Sequence, residues 1–368
     1  WMGGLASGVL PDGAFKDLVV DGIIGGVGSV LVFIPQILIL YLFISLMEDT
    51  GYMARAAFIM DKLMHRMGLH GKSFIPLLMG FGCNVPAIMA TRTIESHSSR
   101  LITILVTPFM SCSARLPVFL LLAGTFFPHN AATVLIGLYL LGIGVAFLTA
   151  RLLRGTKFKK DETPFVMELP PYRMPTLRAT VKHMWDKCAQ YIRKIGTTIL
   201  LATVVIWALS YYPRPKEEVS AEIVAQQEVV EVAEIVTESS TTEEALVGSY
   251  IGRVGRFIEP VMRPLGLDWR AGVALVTSIP AKELVVSTMA VLYGGDDIAS
   301  LSKNIVTNSG ITPRSAMAFM IFILLFFPCI GTLATIRSET GSRAWMWFTI
   351  IYNTAVAWLL AWLAYIIF

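Results

Sequence analysis

Apolar runs long enough to cross a bilayer, broken from within by proline and cysteine, constrain this chain more than any other feature. The runs lie at about residues 23–46, 74–90, 101–127, 132–153, 195–212, 271–293, 316–336 and 344–368. Most approach the roughly 20 residues that a membrane helix needs. In hydrocarbon every backbone donor and acceptor must be satisfied within the protein, so irregular backbone persists only when buried in protein or lining a watery cavity. Breaks of this kind stand at Gly82-Cys83-Asn84-Val85-Pro86, at Pro108-Phe109-Met110-Ser111-Cys112 and at Pro328-Cys329. Proline frees a carbonyl there and supplies no donor. Three of the chain's four cysteines occupy these breaks. A thiol is a soft ligand, so its placement at a broken membrane helix points to a metal path.

Composition agrees with a membrane solvent. Hydrophobic residues make up 55% and charged residues 15% of the 368 positions, with a mean hydropathy of +0.66. A soluble domain carries about 25% charged residues. The expected fold class is an all-α polytopic membrane protein with about seven to eight hydrophobic segments, its first partner being the lipid bilayer. The net charge of +4 is spread between the spans rather than over one face, and no nucleic-acid partner is expected. Cysteine spacing offers no disulfide framework, so reduced thiols are expected. Trp1 to Phe15 lack a signal-peptide pattern, and a chain opening on Trp1 is expected to be incomplete at its N-terminus.

Loop charge orients the chain. Residues 151–194 hold eleven basic side chains against four acidic ones, which assigns this loop to the cytoplasm. Its Trp185 to Ile195 part reads as a surface helix, with Cys188 as a structural residue. Residues 213–247 hold nine glutamates against Arg214 and Lys216 and read as an acidic external loop. Three regions result: 1–153, a first repeat; 154–194, the basic cytoplasmic loop; and 195–368, a second repeat containing the acidic loop.

The repeat is visible without a gap. Tyr52 through Leu77 lie over Tyr250 through Leu275, matching Tyr52 with Tyr250, Arg55 with Arg253, Met64 with Met262, and Gly68-Leu69 with Gly266-Leu267. In that register Gly82-Cys83-Asn84-Val85 fall opposite Pro280-Ala281-Lys282-Glu283. Interrupted apolar segments at corresponding positions of two halves are the sequence pointer to a transporter's midplane site. The first half is entered by a span running inward and the second by one running outward, so two inverted gate-type repeats with interrupted or re-entrant helices are expected. The side on which Phe368 ends stays open.

The runs GKSFIPLLMGFGCNVPAIMATRTIE, TPFMSCSARLPVFLLLAGTFFP, PFVMELPPYRMPTL, PAKELVVSTMAVLY and FFPCIGTLATIRSETGSRAW resemble the membrane permease region of the bacterial ferrous-iron transporter FeoB. The resemblance covers nearly the whole chain. It implies Fe2+ as the transported ion, a multi-pass protein of the bacterial inner membrane, and coupling to an N-terminal GTP-binding domain that this sequence does not contain. It also implies small cytoplasmic Feo-type accessory proteins and a homo-oligomer as partners. By resemblance Cys83 and Cys112 match the cysteines of the first gate, and Cys329 matches that of the second.

Fe2+ accepts thiolate, imidazole and carboxylate, and a permeation site must bind it firmly enough to strip water yet weakly enough to release it. Cys83, Cys112, Cys329 and Glu283 are the expected metal ligands. Asn84, Met110, Ser111 and Ser113 are weaker donors at the same depth. A charge at bilayer depth costs roughly 2.5 to 3.5 kcal/mol on insertion scales, which singles out Lys282-Glu283 after Pro280. Glu283 reads as a cation ligand, a proton acceptor or the cap of a broken helix, and Lys282 as its neutralising neighbour or a gate. Arg115 and Glu339, just past two breaks, are expected to pair across the repeats. Gly71-Lys72-Ser73 lacks the preceding glycine of a phosphate loop, Arg66 standing in its place, so no GTP site is expected. No catalytic triad or nucleophile elbow occurs, and the chain reads as a transporter rather than an enzyme. Alternatives are a gate-type carrier of nucleosides or another solute, and a non-transporting membrane metal sensor or assembly partner.

Overall fold

A computed structural model describes residues 25–156, 172, 176–212, 248–294, 298–308 and 310–368. All regular structure among them is helical. The first half runs through α1 (Gly25–Asp49), α2 (Tyr52–Arg66), α3 (Phe74–Gly80), α4 (Asn84–Ala90), α5 (His97–Val106), α6 (Leu116–Phe126) and α7 (Ala131–Thr156). The second runs through α8 (Leu177–Tyr211), α9 (Tyr250–Met262), α10 (Trp269–Thr277), α11 (Leu284–Tyr293), α12 (Ile298–Asn308), α13 (Pro313–Leu325), α14 (Ile330–Thr340) and α15 (Arg343–Ile367). With α12 set aside as an insertion, the two halves pass through the same order of elements. The expected all-α membrane fold is the one observed. The acidic stretch 213–247 and residues 157–171 of the basic loop lie outside the described residues.

Four helical runs are long and apolar enough to cross a membrane among the described residues: His97–Phe126, Ala131–Thr156, Pro313–Thr340 and Arg343–Ile367. The pair Ile34–Asp49 and Tyr52–Arg66, bent by 82° at Gly51, makes a fifth when taken as one span. The runs differ in position. Those with an internal break, α5 with α6 and α13 with α14, are 67% and 78% buried, whereas unbroken α7 and α15 are 17% and 22% buried. Broken helices therefore sit inside a sleeve of intact ones, as the backbone accounting requires.

Local signals place the stops. α2 turns Met53, Ala57 and Met64 inward and Phe58, Ile59 and Leu63 outward; α9 buries Ile251, Gly255 and Met262 and exposes Phe257 and Val261. Each then ends on a left-handed glycine, Gly68 at φ 74° and Gly266 at φ 68°. The next N–H reaches back five residues, Leu69 to Met64 O at 2.9 Å and Leu267 to Met262 O at 3.4 Å. This is the same Schellman closure twice.

The breaks are held together in pairs. The N–H of Ser113 donates to Gly82 O at 3.3 Å in the first half, and the N–H of Ile330 donates to Ile279 O at 3.0 Å in the second. Both donors directly follow a cysteine, Cys112 or Cys329. Gly80 permits the first pairing, since a Cβ there would come within 2.9 Å of Met110 Cβ.

Trp185 to Ile195 do not form a separate surface helix, which corrects the sequence reading. They belong to the 35-residue α8, which lies against α1 and runs antiparallel to it. Thr180 donates to Asp49 at 2.9 Å and Lys187 to Glu48 at 2.7 Å, while Cys188 packs beside Tyr41 farther along. Packing of one face against α1 overrides the amphipathic pattern that suggested a free surface helix.

A Gly266→Ala substitution places a side chain in the left-handed region and drives its Cβ against Ser315 and Tyr365. It should destabilise the protein by about 1–3 kcal/mol, read as a lower thermal midpoint in detergent, whereas Gly144→Ala, at a position with open space around it, should not.

Candidate functional site

A cavity of about 370 Å³ opens where the breaks of the two halves meet α1. Cys83, Asn84, Cys112, Ser113, Arg115, Lys282, Glu283 and Cys329 all line it. Cys83 stands in extended backbone before α4, Cys112 before the short turn Ser113–Arg115, and Cys329 before α14. In each case the thiol occupies the residue at which the helical backbone restarts. All three cysteines are free and partly exposed to the cavity. Among the described residues, however, no group of three or more His, Cys, Asp and Glu side chains is arranged to hold one metal ion. The thiols share a chamber without closing on a single point.

Three residues expected at the site lie away from it. Met110 and Ser111 are buried beside the cavity rather than lining it, whereas the following residues Cys112 to Arg115 border the opening. Glu339 is farther off, at the end of α14. The predicted Arg115 to Glu339 pair is not formed. Glu339 instead takes Arg92 at 2.6 Å and Arg100 at 3.2 Å.

Arg115 has other work. Among the described residues it is the largest fully buried side chain, only 1% exposed, and it donates to Pro108 O and Met110 O at 3.3 Å and to Phe326 O at 3.4 Å. These carbonyls are ones that the breaks of both halves set free. One guanidinium, with five donors in a fixed fork, serves three of them. Lys282 is 3% exposed, and its Nζ has no hydrogen-bond partner; it lies 4.6 Å from the Phe326 ring and 5.5 Å from that of Phe327. The ring faces offset part of the cost of burying this ammonium.

Two polar lining residues escaped the sequence reading. Gln36 donates to Ser113 Oγ at 3.0 Å, and Ser113 Oγ in turn donates to Gly82 O at 3.0 Å. Thr332 Oγ1 lies 3.3 Å from Cys329 Sγ. Pro35-Gln36, a proline and an amide inside an apolar run, carries a signature like that of the breaks, although α1 continues through it. Thr332 has only its spacing from Cys329, one helical turn, to announce it. Gly71-Lys72-Ser73 forms a short turn in which Gly71 N donates to Asp61 and Lys72 pairs with Glu95 at 2.7 Å.

The profile of the Gate family, described as nucleoside recognition, matches residues 30–126 and 192–343. A second profile, the C terminus of ferrous iron transport protein B, matches residues 135–187. The chain belongs to the Gate family, in the form found in the membrane part of FeoB. Among curated relatives, a protein of Porphyromonas gingivalis named as a fusion of Fe(2+) transport protein A with Fe(2+) transporter FeoB is 56% identical over 99% of this chain and 46% of its own length. The Fe(2+) transporter FeoB of Staphylococcus aureus is 45% identical over 97% of this chain and 50% of its own. That of Helicobacter pylori is 40% identical over 98% and 59%. The chain thus spans about half the length of the curated relatives it matches. No solved structure matches it.

The two stretches of the Gate match supply every one of the eight cavity residues predicted from sequence. They also supply Arg92, Arg100 and Glu339, which tie one half to the other. The Glu339 side chain is only 3% exposed and serves two guanidinium groups, so removing it leaves partly buried Arg100 without this partner. Glu339→Ala should lower stability by about 1–3 kcal/mol in thermal melts in detergent, and Arg92→Ala, whose side chain is half exposed, should cost less.

Proposed function

We propose that this chain forms the membrane path for import of ferrous iron across the bacterial inner membrane, with Cys83, Cys112, Cys329 and Glu283 as its metal-facing groups. The observation that carries this reading is the convergence of three proline-linked thiols and one carboxylate, drawn from both halves, on one cavity. The names of the relatives, Fe(2+) transporter FeoB, supply the cargo. In this reading the two halves are inverted repeats, as the antiparallel course of α1 and α8 suggests, and movement of one against the other exposes the cavity to alternate sides.

The dispersed thiols suit transit better than storage. An ion that exchanges one or two waters for sulfur at each position is held loosely enough to leave. Asn84 and Ser113 provide weak oxygen donors beside the thiols. Buried Lys282 opposes a dication in the cavity by direct repulsion, which makes it a gate: the ion enters when the ammonium withdraws or when ligand charge outweighs it. Arg115 acts through the backbone, keeping the breaks open without offering the ion a donor.

Coupling to GTP, in this reading, comes from a GTP-binding domain joined to the membrane part, and the chain itself is a transporter rather than an enzyme. The fusion name of one relative supports a small cytoplasmic Feo-type partner. The boundaries 1–153, 154–194 and 195–368 serve as the working division into first gate, cytoplasmic connection and second gate. The family description as nucleoside recognition, with a cavity in the size range of small-molecule sites, favours a second reading as a carrier of nucleosides.

Anaerobic Fe2+ uptake into proteoliposomes carrying the full-length transporter separates these readings. Cys83→Ser, Cys112→Ser and Cys329→Ser should each slow uptake by about tenfold or more, with wild-type amounts of folded protein. Unimpaired uptake in all three contradicts the thiol path. Competition of uptake by nucleosides, with the serine variants unaffected, favours the second reading.

A further inference from the structure

A second cavity, of about 450 Å³, is bordered by both α1 and α2 where the chain turns between them. The two helices bend by 82° at Gly51, so α2 runs across the end of the α1 span rather than along it. α2 also carries the pattern of a helix that lies in a membrane interface. Phe58, Ile59 and Leu63 are exposed, while Arg55, Lys62 and Arg66 outnumber Asp61, its one acidic residue. A cavity in the angle of this bend sits at the depth of lipid headgroups.

Its lining divides by chemistry. Ile44, Met53, Ala57, Ile75, Met79 and Met89 supply an apolar part, whereas Lys72, Arg92 and Lys187 bring three basic side chains, from three separate stretches of chain, against one acid, Glu48. Each basic group has a carboxylate at hand, but none is used up by it. Lys72 meets Glu95 and Lys187 meets Glu48, and both carboxylates are more than half exposed. Exposed pairs of this kind hold weakly and can give way to a better-placed anion. Arg92 gives Nε and Nη2 to Glu339 and keeps Nη1. Farther along α1, Tyr41 lines the same cavity on a residue only 3% exposed, and its hydroxyl has no hydrogen-bond partner. Native proteins seldom leave a buried hydroxyl in that state.

We propose that this cavity binds an anionic phospholipid. Its phosphate is held by Lys72, Arg92 and Lys187, the start of an acyl chain lies against Ile44 and the methionines, and the Tyr41 hydroxyl donates to an ester carbonyl. A lipid accounts for both halves of the lining, which a soluble phosphate does not, since the basic groups border an apolar space in a helix angle at the interface. The side of the membrane agrees. Lys187 falls within residues 151–194, which their basic excess assigns to the cytoplasm, and basic pockets between membrane helices on that side are where anionic headgroups bind. The site is independent of the cargo of the first cavity.

Photocrosslinking of the full-length protein tests it, in phosphatidylcholine nanodiscs containing a trace of photoactivatable phosphatidylglycerol, with the labelled peptides mapped by mass spectrometry. Labels should fall on α1 and α2 between Tyr41 and Ala57, and unlabelled phosphatidylglycerol should displace them where added phosphatidylcholine does not. Lys72→Gln and Lys187→Gln should each weaken phosphatidylglycerol binding by about fivefold, the value of one cationic contact near an anionic lipid surface, whereas Arg337→Gln, an exposed basic residue outside the cavity, should leave it unchanged. Equal displacement by phosphatidylcholine, or unchanged affinity in both lysine variants, overturns the site. Displacement by inorganic phosphate as effective as that by phosphatidylglycerol marks a soluble-phosphate site and overturns the lipid assignment. Matching size-exclusion profiles of the variants separate loss of a contact from loss of fold.

Discussion

A backbone carbonyl freed at bilayer depth has to find a donor, and the architecture here follows from how that need is met. Proline breaks in α5–α6 and α13–α14 release carbonyls near the centre of the protein. Arg115 serves three of them, from both halves, and Ser113 and Ile330 close the remaining gap between neighbouring breaks. The intact helices α7 and α15 then sit outside the broken runs. An open chamber in the middle of the molecule is the consequence.

That chamber has an unusual charge balance. Two buried basic side chains border it, one committed to carbonyls and one lying against phenylalanine rings, and Glu283 is the only acidic side chain among the described residues that line it. Such a surface does not attract a dication by itself. It becomes suitable only through ligands that acquire negative charge on binding metal, which is what thiols do. In the proposed metal path the chemistry of the cysteines and the position of Lys282 are therefore two sides of one arrangement: the cavity would disfavour a bare cation and accept a thiolate-bound one.

Much of this was legible in the sequence. Gapless alignment of Tyr52–Leu77 with Tyr250–Leu275 anticipated two equivalent Schellman closures, because Gly-Leu after an amphipathic run is a local signal that tertiary packing does not override. Proline beside cysteine anticipated the breaks and, together with the intramembrane charges after Pro280, eight of the cavity's lining residues. What failed depended on long-range geometry. Glu339 pairs with Arg92 and Arg100 instead of Arg115, since the sequence records which charges follow a break but not which carbonyls need a donor more. The surface helix expected at Trp185 to Ile195 merged into α8 because α1 covers one of its faces.

The central claim is that sulfur from the broken helices replaces water around iron inside this chamber. X-ray absorption at the iron edge, on anaerobically Fe2+-loaded full-length protein, tests it most directly. The account predicts sulfur in the first coordination shell, lost when Cys83, Cys112 and Cys329 are all replaced by serine. A shell of oxygen and nitrogen alone in the unmodified protein, unchanged by those replacements, would contradict it.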